Sequence, residues 1–435
     1  MQSICSYKDL ENISLEYDEY WTQGNKKPAL MHSIHNYPAK FPPFIVEKAI
    51  NYAVSEGVKV KTIADIFCGC GTTALEAKSN NYSFWGCDIN PVATLISRTK
   101  VANYDIQQLK QAYDEINRQY SISGLNNNPY LKAPERLKYW FSQKQYNDLF
   151  RLLTSIESSI PKENTELKDA FLCLFSSILK KSSKWLQKSI KPQVDPKKTE
   201  LDVMELFKKQ YKSFEKANDE LKKKRNKKWA VPGTCIIKTA NCLEFEDNLQ
   251  VDLIITSPPY VTSYEYADLH QLSSLWLGYT SDYRKLRSGM IGSGYGCEAC
   301  EEKKLNLNST ATDIIENLKN AKCQRSKWMP VARYYSEMQK ATKKCYSFLT
   351  NGGMSLFVIG DSEINGVQLR NAEHLIESMI TEGFTDVKIS KRVVSKGICV
   401  PYRDSKGRFT HNKETKNTIY SEEYIVSGRK TWEKN

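Results

Sequence analysis

The pattern of apolar and polar positions predicts two blocks of parallel α/β sheet separated by a long helical segment. Residues 62–67 form an apolar run that predicts a buried strand, residues 72–80 have helical spacing, and residues 83–87 predict a second strand. Alternating strands and helices are typical of a parallel sheet with crossover helices. The strand pattern then stops, and it resumes at residues 235–238, 251–256, 354–360, 387–394 and 424–427.

Between these blocks, the spacing of apolar positions predicts helices over residues 106–120, 135–160, 167–186 and 201–221. We therefore expect one α/β catalytic domain whose two parts flank a helical insertion. Glycines at 289, 292, 294 and 296 predict a loop-rich region, followed later by a helix over residues 368–382. The expected divisions are an N-terminal leader at 1–30, the catalytic domain at 31–105 and 231–435, the insertion at 106–230, and the loop-rich region at 262–330.

The positive charge of the chain is concentrated in the insertion. The 435 residues carry a net charge of +13, and residues 106–230 alone contain 26 Lys and Arg against 15 Asp and Glu. A localised positive field suits a polyanion, because each cation near a phosphate releases condensed counterions. A solvated helical face gives the same pattern, so that alternative stays open. Cations interleaved with an aromatic ring make candidate nucleic-acid contacts of Lys180, Lys181, Lys184, Trp185 and Lys188.

Other features of the sequence favour a cytoplasmic protein without a membrane partner. The longest apolar stretch, residues 171–179, is interrupted by two serines and is shorter than a bilayer span. The start of the chain is polar and acidic, which argues against a secretory signal. We expect the twelve cysteines to be reduced and mostly buried. Cys297 and Cys300 have metal-ligand spacing but no matching second pair, so no metal site is predicted, and structural zinc is kept as an alternative.

A glycine-rich turn follows the first predicted strand. Residues 65–73 read Asp-Ile-Phe-Cys-Gly-Cys-Gly-Thr-Thr, and Gly69 and Gly71 allow a tight turn and the close approach of a ligand. Asp88 ends the next strand, where a carboxylate can accept both hydroxyl groups of a ribose. The turn lacks G-x-G-x-x-G and the Lys-Ser/Thr ending of a triphosphate site. The pattern therefore favours a ribose-bearing cofactor without a pyrophosphate.

A second candidate motif, Thr-Ser-Pro-Pro-Tyr at residues 256–260, directly follows the apolar run 251–256. Two successive prolines fix φ and remove two N–H donors, so the loop presents its carbonyl groups rigidly. With the flat ring of Tyr260 beside them, these acceptors suit the exocyclic amino group of a stacked base. An ordinary turn after a buried strand is the alternative. The presence of Asp65 and Asp88 in the same predicted sheet argues against it.

Together these motifs resemble those of S-adenosylmethionine-dependent DNA amino-methyltransferases of the N4-cytosine/N6-adenine family. The resemblance implies an α/β, Rossmann-like class I methyltransferase fold with a seven-stranded sheet, with S-adenosylmethionine as the cofactor and double-stranded DNA as the partner. It extends over most of 31–105 and 235–430, and the insertion carries no general motif. The matching blocks are residues 32–41 (His-Ser-Ile-His-Asn-Tyr-Pro-Ala-Lys-Phe), 65–73, 86–91 and 256–260.

The resemblance also implies roles for individual residues. In the family, the first block closes over the methionine end of the cofactor, the second forms the cofactor turn, and an acid at the position of Asp88 binds the ribose. Asn241 stands where the family usually has an acid against the adenine. The implied catalytic residues are Ser257, Pro258, Pro259 and Tyr260, and the implied cofactor contacts are Tyr37, Pro38, Lys40, Phe41, Asp65, Phe67, Gly69, Gly71, Thr72, Asp88 and Asn241.

Residues 257–260 (Ser-Pro-Pro-Tyr) are called the tetrapeptide below, and the serine at its first position bears on the target base. Members of the family that act on cytosine N4 usually have Ser there, whereas those acting on adenine N6 more often have Asp or Asn. We therefore expect methylation of cytosine N4, with adenine N6 as the alternative. An RNA amino-methyltransferase and a non-catalytic DNA-binding protein are further alternatives. A companion restriction endonuclease is common in the family, and either 106–230 or 262–330 is expected to read the target.

Overall fold

The architecture is an eight-stranded sheet covered by helices. The computed structural model describes residues 1–4, 15–24, 27–38, 40–124, 128–225, 233–246, 248–261, 266–295, 301–394 and 422–431. The strands of the main sheet are β1 (Gln2–Ser3), β2 (Thr62–Asp65), β3 (Ser83–Asp88), β4 (Cys235–Thr239), β5 (Val251–Thr256), β6 (Leu349–Ile359), β9 (Thr385–Val393) and β10 (Glu422–Arg429), and a separate hairpin contains β7 (Ser362–Ile364) and β8 (Val367–Leu369).

The strand order of the main sheet is β1-β9-β10-β6-β5-β2-β3-β4. Strands β2 to β6 pair in parallel, whereas β10 lies antiparallel to both β6 and β9. Seven of these strands confirm the predicted Rossmann-like class I fold, and β1 adds a two-residue edge strand. Because β2 lies between β3 and β5, the chain changes direction across the sheet at β2. Ligands of open α/β sheets bind at such a switch point, outside the carboxyl ends of the strands.

Among the helices around the sheet, the sequence predicted those near residues 72–80 and 368–382 and did not predict the others. The helices around the sheet are α1 (Pro43–Ser55), α2 (Thr72–Ser79), α3 (Pro91–Val101), α9 (Tyr266–Leu269), α10 (Gln271–Trp276), α11 (Ser309–Asn320), α12 (Arg325–Phe348) and α13 (Asn371–Thr381). The helix predicted at 368–382 is α13, which starts three residues later than expected because the preceding residues form β8. The region predicted to be loop-rich, 262–330, contains all of α9, α10 and α11 and the start of α12.

The insertion consists of α4 (Ile106–Ile122), α5 (Glu135–Trp140), α6 (Gln143–Ser159), α7 (Thr165–Ser182) and α8 (Val203–Arg225). Its buried side chains, including Phe171 and Phe214, belong to the same hydrophobic cluster as Leu95 of α3 and Leu272 of α10. Full burial of one such side chain contributes roughly 1.5–3 kcal/mol to folding. The insertion is therefore packed onto the helices that flank the carboxyl edge of the sheet. None of the helices in the described part of the chain is long and apolar enough to cross a membrane.

Candidate active site

The glycine-rich turn connects β2 to α2. Gly69 and Gly71 have φ angles of 48° and 75°, in the left-handed region that favours glycine. A Cβ at Gly71 would lie 2.3 Å from Ser97 Oγ and 2.8 Å from Ser97 Cα, so no side chain fits there. At Gly69 a Cβ would make only ordinary van der Waals contacts, the nearest at 3.9 Å to the Phe67 carbonyl and to the Tyr37 ring, so it is the positive φ that favours glycine there. Gly71 also leaves the first N–H groups of α2 without a side-chain cap, so they are available to a ligand.

Asp88 projects from the end of β3 toward this turn. Its Oδ2 accepts a hydrogen bond from the Gly69 amide at 2.9 Å, and its Oδ1 accepts one from the Asn90 amide at 2.8 Å. Burial raises the pKa of Asp88 to about 6, although these two bonds lower it in part. The carboxylate is thus ionised at neutral pH and held in place. Each oxygen keeps acceptor capacity for a hydroxyl group, which fits the predicted ribose contact.

Asp65 connects the turn to the tetrapeptide. Its Oδ1 accepts hydrogen bonds from Thr256 Oγ1 (2.6 Å) and from the Phe67 amide (3.1 Å), while its Oδ2 accepts one from Thr73 Oγ1 (2.8 Å). Burial raises the pKa of Asp65 to about 6. Because Thr256 directly precedes the tetrapeptide, one carboxylate fixes both predicted motifs in a common frame. A direct contact of Asp65, Phe67 or the buried Thr72 with the cofactor stays a prediction.

The block at residues 32–41 lies over the turn. The ring of Tyr37 stacks on His270 of the α9–α10 junction, with 4.9 Å between ring centroids, and its hydroxyl lies 4.0 Å from the position of a Cβ at Gly69. Lys40 Nζ donates a hydrogen bond to the His32 carbonyl at 3.0 Å. Pro38 and Phe41 are half-buried beside them. This location agrees with the expected role in covering one end of the cofactor, which stays a prediction.

Asn241 follows β4, the strand that pairs with β3. Its Nδ2 donates to Glu244 Oε1 at 2.9 Å, so an acid lies three residues beyond the position where the family usually has one. A Cβ at Gly289 would lie 2.9 Å from Ile89 Cδ1 and 3.5 Å from Asn241 Nδ2. Sequence reasoning missed Ile89 and Gly289 as neighbours of the site. Ile89 was open to prediction because it directly follows Asp88, whereas no local signal indicated Gly289.

The tetrapeptide is held by the neighbouring strand β6. Ser257 Oγ donates to the Val358 carbonyl at 3.1 Å, and a hydroxyl oxygen that donates its proton can still accept hydrogen bonds. Pro258 is buried, and Pro259 and Tyr260 are half-buried. The hydroxyl of Tyr260 donates to Glu423 Oε1 at 2.9 Å. The loop therefore combines a serine acceptor, a rigid proline carbonyl and an anchored aromatic ring.

Buried nitrogen atoms around the turn indicate that a polar ligand fits there. Asn90 Nδ2, His32 Nδ1 and His270 Nε2 have no hydrogen-bond partner among the residues described. Asn90 bonds to Asp88 through its amide, His32 bonds to Glu76 of α2, and His270 stacks on Tyr37. Buried polar side-chain atoms, whether donors or acceptors, nearly always have a hydrogen-bond partner in native proteins. Together with the uncapped N–H groups of α2, these atoms fit the hydroxyl, amino and carboxylate groups of S-adenosylmethionine.

The basic segment of the insertion differs from its prediction at two residues. Trp185 is only 2% exposed, stacks on Trp140 at 5.1 Å, and donates through Nε1 to the carbonyls of Ser189 and Lys191. The prediction that this ring contacts nucleic acid is wrong, because a buried indole cannot stack on a base. Lys180 belongs to the same structural cluster, since its Nζ donates to the carbonyls of Gln187 and Ser189.

Lys181, Lys184 and Lys188 are exposed and stay the predicted nucleic-acid contacts of this segment. Replacing all three with alanine should weaken DNA binding and reduce the slope of log K against log salt by about 2.7, at about 0.9 for each lost phosphate contact. Fluorescence anisotropy at several salt concentrations measures this slope. Alanine at the exposed Lys59, Lys340 and Lys343, which lie outside both candidate recognition regions, is a matched control. If the two triple variants show equal slopes, Lys181, Lys184 and Lys188 do not contact DNA phosphates.

The described cysteines are free thiols, and all but Cys235 are buried, in agreement with the prediction. Cys297 and Cys300 lie outside the described residues. Across the described ranges, no group of three or more His, Cys, Asp or Glu side chains is placed to hold a metal ion.

Comparison with known proteins agrees with these motifs. Residues 4–99 match the N6_N4_Mtase family of DNA methylases. The chain is 24% identical to the type II methyltransferase M.MvaI of Kocuria varians over 364 residues. The aligned region covers 78% of this chain and 79% of that protein. These similarities support an amino-methyltransferase. The coarser part of the predicted resemblance is thereby confirmed, and S-adenosylmethionine is the implied methyl donor.

Two further relatives are similar over shorter stretches. The type II methyltransferase M.BsoBI of Geobacillus stearothermophilus is 26% identical over 294 residues, covering 61% of this chain and 55% of that protein. M.MjaII of Methanocaldococcus jannaschii is 31% identical over 118 residues, covering 27% of this chain and 22% of that protein. The family match includes three of the blocks described above, at residues 32–41, 65–73 and 86–91.

Proposed function

We propose that the protein transfers a methyl group from S-adenosylmethionine to the exocyclic N4 amino group of a flipped cytosine in double-stranded DNA. The observation that carries the proposal is the bridge made by Asp65, which joins Thr256, next to the tetrapeptide, to Thr73 in the cofactor turn. The type II methyltransferases among the relatives favour a restriction-modification context. A restriction endonuclease acting on the same site is the corresponding partner, and the cytoplasm the corresponding compartment.

The tetrapeptide supplies hydrogen-bond acceptors for the target amino group. Because Ser257 donates its own proton to Val358, its oxygen is left to accept one amino hydrogen, and the Pro258 carbonyl accepts the other. These bonds draw the nitrogen lone pair out of conjugation with the base ring. Bound S-adenosylmethionine supplies an electrophilic sulfonium methyl. No strong general base is needed beforehand, because the nitrogen becomes acidic only as the new N–C bond forms. The S–C bond that breaks leaves a neutral thioether, and the amino proton held by Ser257 or Pro258 is released to solvent. Positioning therefore provides most of the acceleration.

Tyr260 provides the surface for the flipped base. Taking a base out of the duplex costs a few kcal/mol. Stacking on an aromatic side chain returns about 1–3 kcal/mol per base. The Tyr260 ring is already fixed by Glu423 at its hydroxyl, so little further ordering is needed when the base arrives.

The first test identifies the methylated nucleoside. Purified protein is incubated with labelled S-adenosylmethionine and unmethylated bacterial genomic DNA, and the digested nucleosides are analysed by mass spectrometry. We expect N4-methylcytosine. N6-methyladenine would keep the reaction and overturn the assignment of the base. If no methylated nucleoside is found in the DNA, the DNA substrate is contradicted. Methylation of a structured RNA in a parallel reaction would then support an RNA methyltransferase. Absence of cofactor binding in calorimetry would instead support a non-catalytic DNA-binding protein.

A further inference from the structure

A carboxylate outside the recognised motifs holds the hydroxyl end of Tyr260. Glu423 on β10 accepts the Tyr260 hydroxyl at its Oε1, 2.9 Å away. Its Oε2 accepts hydrogen bonds from Arg392 of β9, from Nε at 2.8 Å and from Nη2 at 2.6 Å. The two oxygens thus have separate tasks. One contacts the tetrapeptide, and the other joins it to the antiparallel strands of the sheet.

Arg392 is fixed more firmly than a surface arginine. It is 3% exposed, and its Nη1 donates to the carbonyl of the fully buried Trp21 at 3.2 Å. A buried charge is tolerated only when it is paired and hydrogen-bonded. The Glu423–Arg392 pair therefore has a single favourable geometry. Because Glu423 also accepts the Tyr260 hydroxyl, this geometry fixes the position of that hydroxyl.

One edge of the Tyr260 ring is constrained independently. A Cβ at Gly360 would lie only 3.0 Å from Tyr260 Cε2, so the ring packs directly on the backbone that follows β6. That backbone is itself held, because Asn371 Nδ2 donates to the Gly360 carbonyl at 2.8 Å and Tyr335 donates to Asn371 Oδ1 at 3.0 Å. The ring is thus supported along one edge by backbone and at its tip by Glu423.

We propose that Glu423, held by Arg392, is a positioning residue that fixes the Tyr260 ring in the orientation that receives the extrahelical base. The inference rests on the proposed function and adds to it a residue from a strand that carries none of the methyltransferase motifs. Burial and the neighbouring Glu423 raise the pKa of Tyr260 well above its ordinary value, so the phenol keeps its proton and remains the donor. Pre-organisation of this kind lowers the ordering cost of binding the base.

A double-mutant cycle tests the proposal. The variants Tyr260→Phe, Glu423→Gln and their combination are compared in single-turnover methylation of genomic DNA at subsaturating DNA. Each single variant should lose about tenfold in rate, the factor expected for one hydrogen bond to a charged acceptor. The double variant should be no slower than the slower single variant. The affinity for S-adenosylmethionine, measured by calorimetry, should stay unchanged, because the cofactor turn is untouched.

The same strand offers a matched control. Glu422, the neighbour of Glu423, pairs with Lys391 at 2.7 Å and accepts the hydroxyl of Tyr17, so it repeats the arrangement without the tetrapeptide. Glu422→Gln should keep the wild-type methylation rate. If the rate loss of the double variant equals the product of the two single losses, the effect of Glu423 does not depend on its bond to Tyr260, and the proposal is overturned.

Tyr260→Phe provides a second route that does not depend on the folding of a Glu423 variant. It keeps the aromatic ring and leaves the Glu423–Arg392 pair intact. A wild-type rate for this variant would by itself overturn the proposal. Failure of the proposed function is distinct, since in that case the wild-type protein yields N6-methyladenine or methylates no DNA at all.

Discussion

Replacing Tyr260 with alanine should lower the rate of DNA methylation by about 100-fold while the affinity for S-adenosylmethionine stays the same. Alanine removes the stacking surface, which is worth about 1–3 kcal/mol per base. It also removes the group that Glu423 and Gly360 hold in place. Single-turnover assays on genomic DNA measure the loss, and calorimetry of the cofactor gives the independent reading.

Two companion variants separate the contributions to this effect. Tyr260→Phe keeps the ring and should therefore retain at least about ten times the rate of the alanine variant, since only one hydrogen bond is lost. Ser257→Ala removes the acceptor for an amino hydrogen and leaves the ring in place, so it should also abolish most methylation with cofactor binding intact. Normal turnover in Tyr260→Ala or in Ser257→Ala would contradict the proposed mechanism.

The parts of the fold that the sequence predicts well are those determined by neighbouring residues. The bounds of β5 agree with the prediction because a run of buried apolar residues ends at the two prolines, which cannot continue a sheet ladder. The turn at Gly71 was also predictable. Its positive φ follows from the tight connection between β2 and α2. In these places the local sequence contains most of the physical constraint.

The failures occur where distant residues decide the structure. In α11, Asn308 caps the helix, and Glu377 of α13 accepts hydrogen bonds from the Ser309 and Thr310 amides, so a helix forms in a region predicted as loop-rich. Trp185 is buried because Trp140 of another helix stacks on it. No local pattern distinguishes such an indole from an exposed one, because an aromatic ring among lysines is compatible with both.

The candidate site shows the same division. The Tyr260–Glu423 bond spans 163 positions of sequence, and no motif marks Glu423 or Arg392. The tetrapeptide and the cofactor turn were recognisable because their chemistry lies in consecutive residues. The carboxylate that orients the tetrapeptide was not, because only the pairing of β10 with β6 and β9 brings it there.

Replacing Asp88 with alanine should weaken the binding of S-adenosylmethionine by at least about 100-fold. Two hydrogen bonds from ribose hydroxyls to a carboxylate are lost, each worth about 1.5–3 kcal/mol. The amides of Gly69 and Asn90 also lose their acceptor, so the turn loses its anchor. Calorimetry measures the change directly, without dependence on turnover. Asp252→Ala is the matched control, because Asp252 likewise accepts hydrogen bonds from two backbone amides, those of Lys61 and Thr62 at the start of β2.

The pH dependence of binding identifies the charge of Asp88 as the cause. Burial raises its pKa to about 6, so the carboxylate is ionised at pH 7.5 and becomes protonated as the pH falls to 5. Cofactor affinity should therefore decrease through that range. Asp65 has a pKa of about 6 as well, which makes the Asp88→Asn variant decisive. If the Asp88→Asn variant binds the cofactor weakly and its affinity no longer changes between pH 7.5 and 5, the titrating group is Asp88. If its affinity at pH 7.5 equals that of the wild type, Asp88 does not contact the ribose.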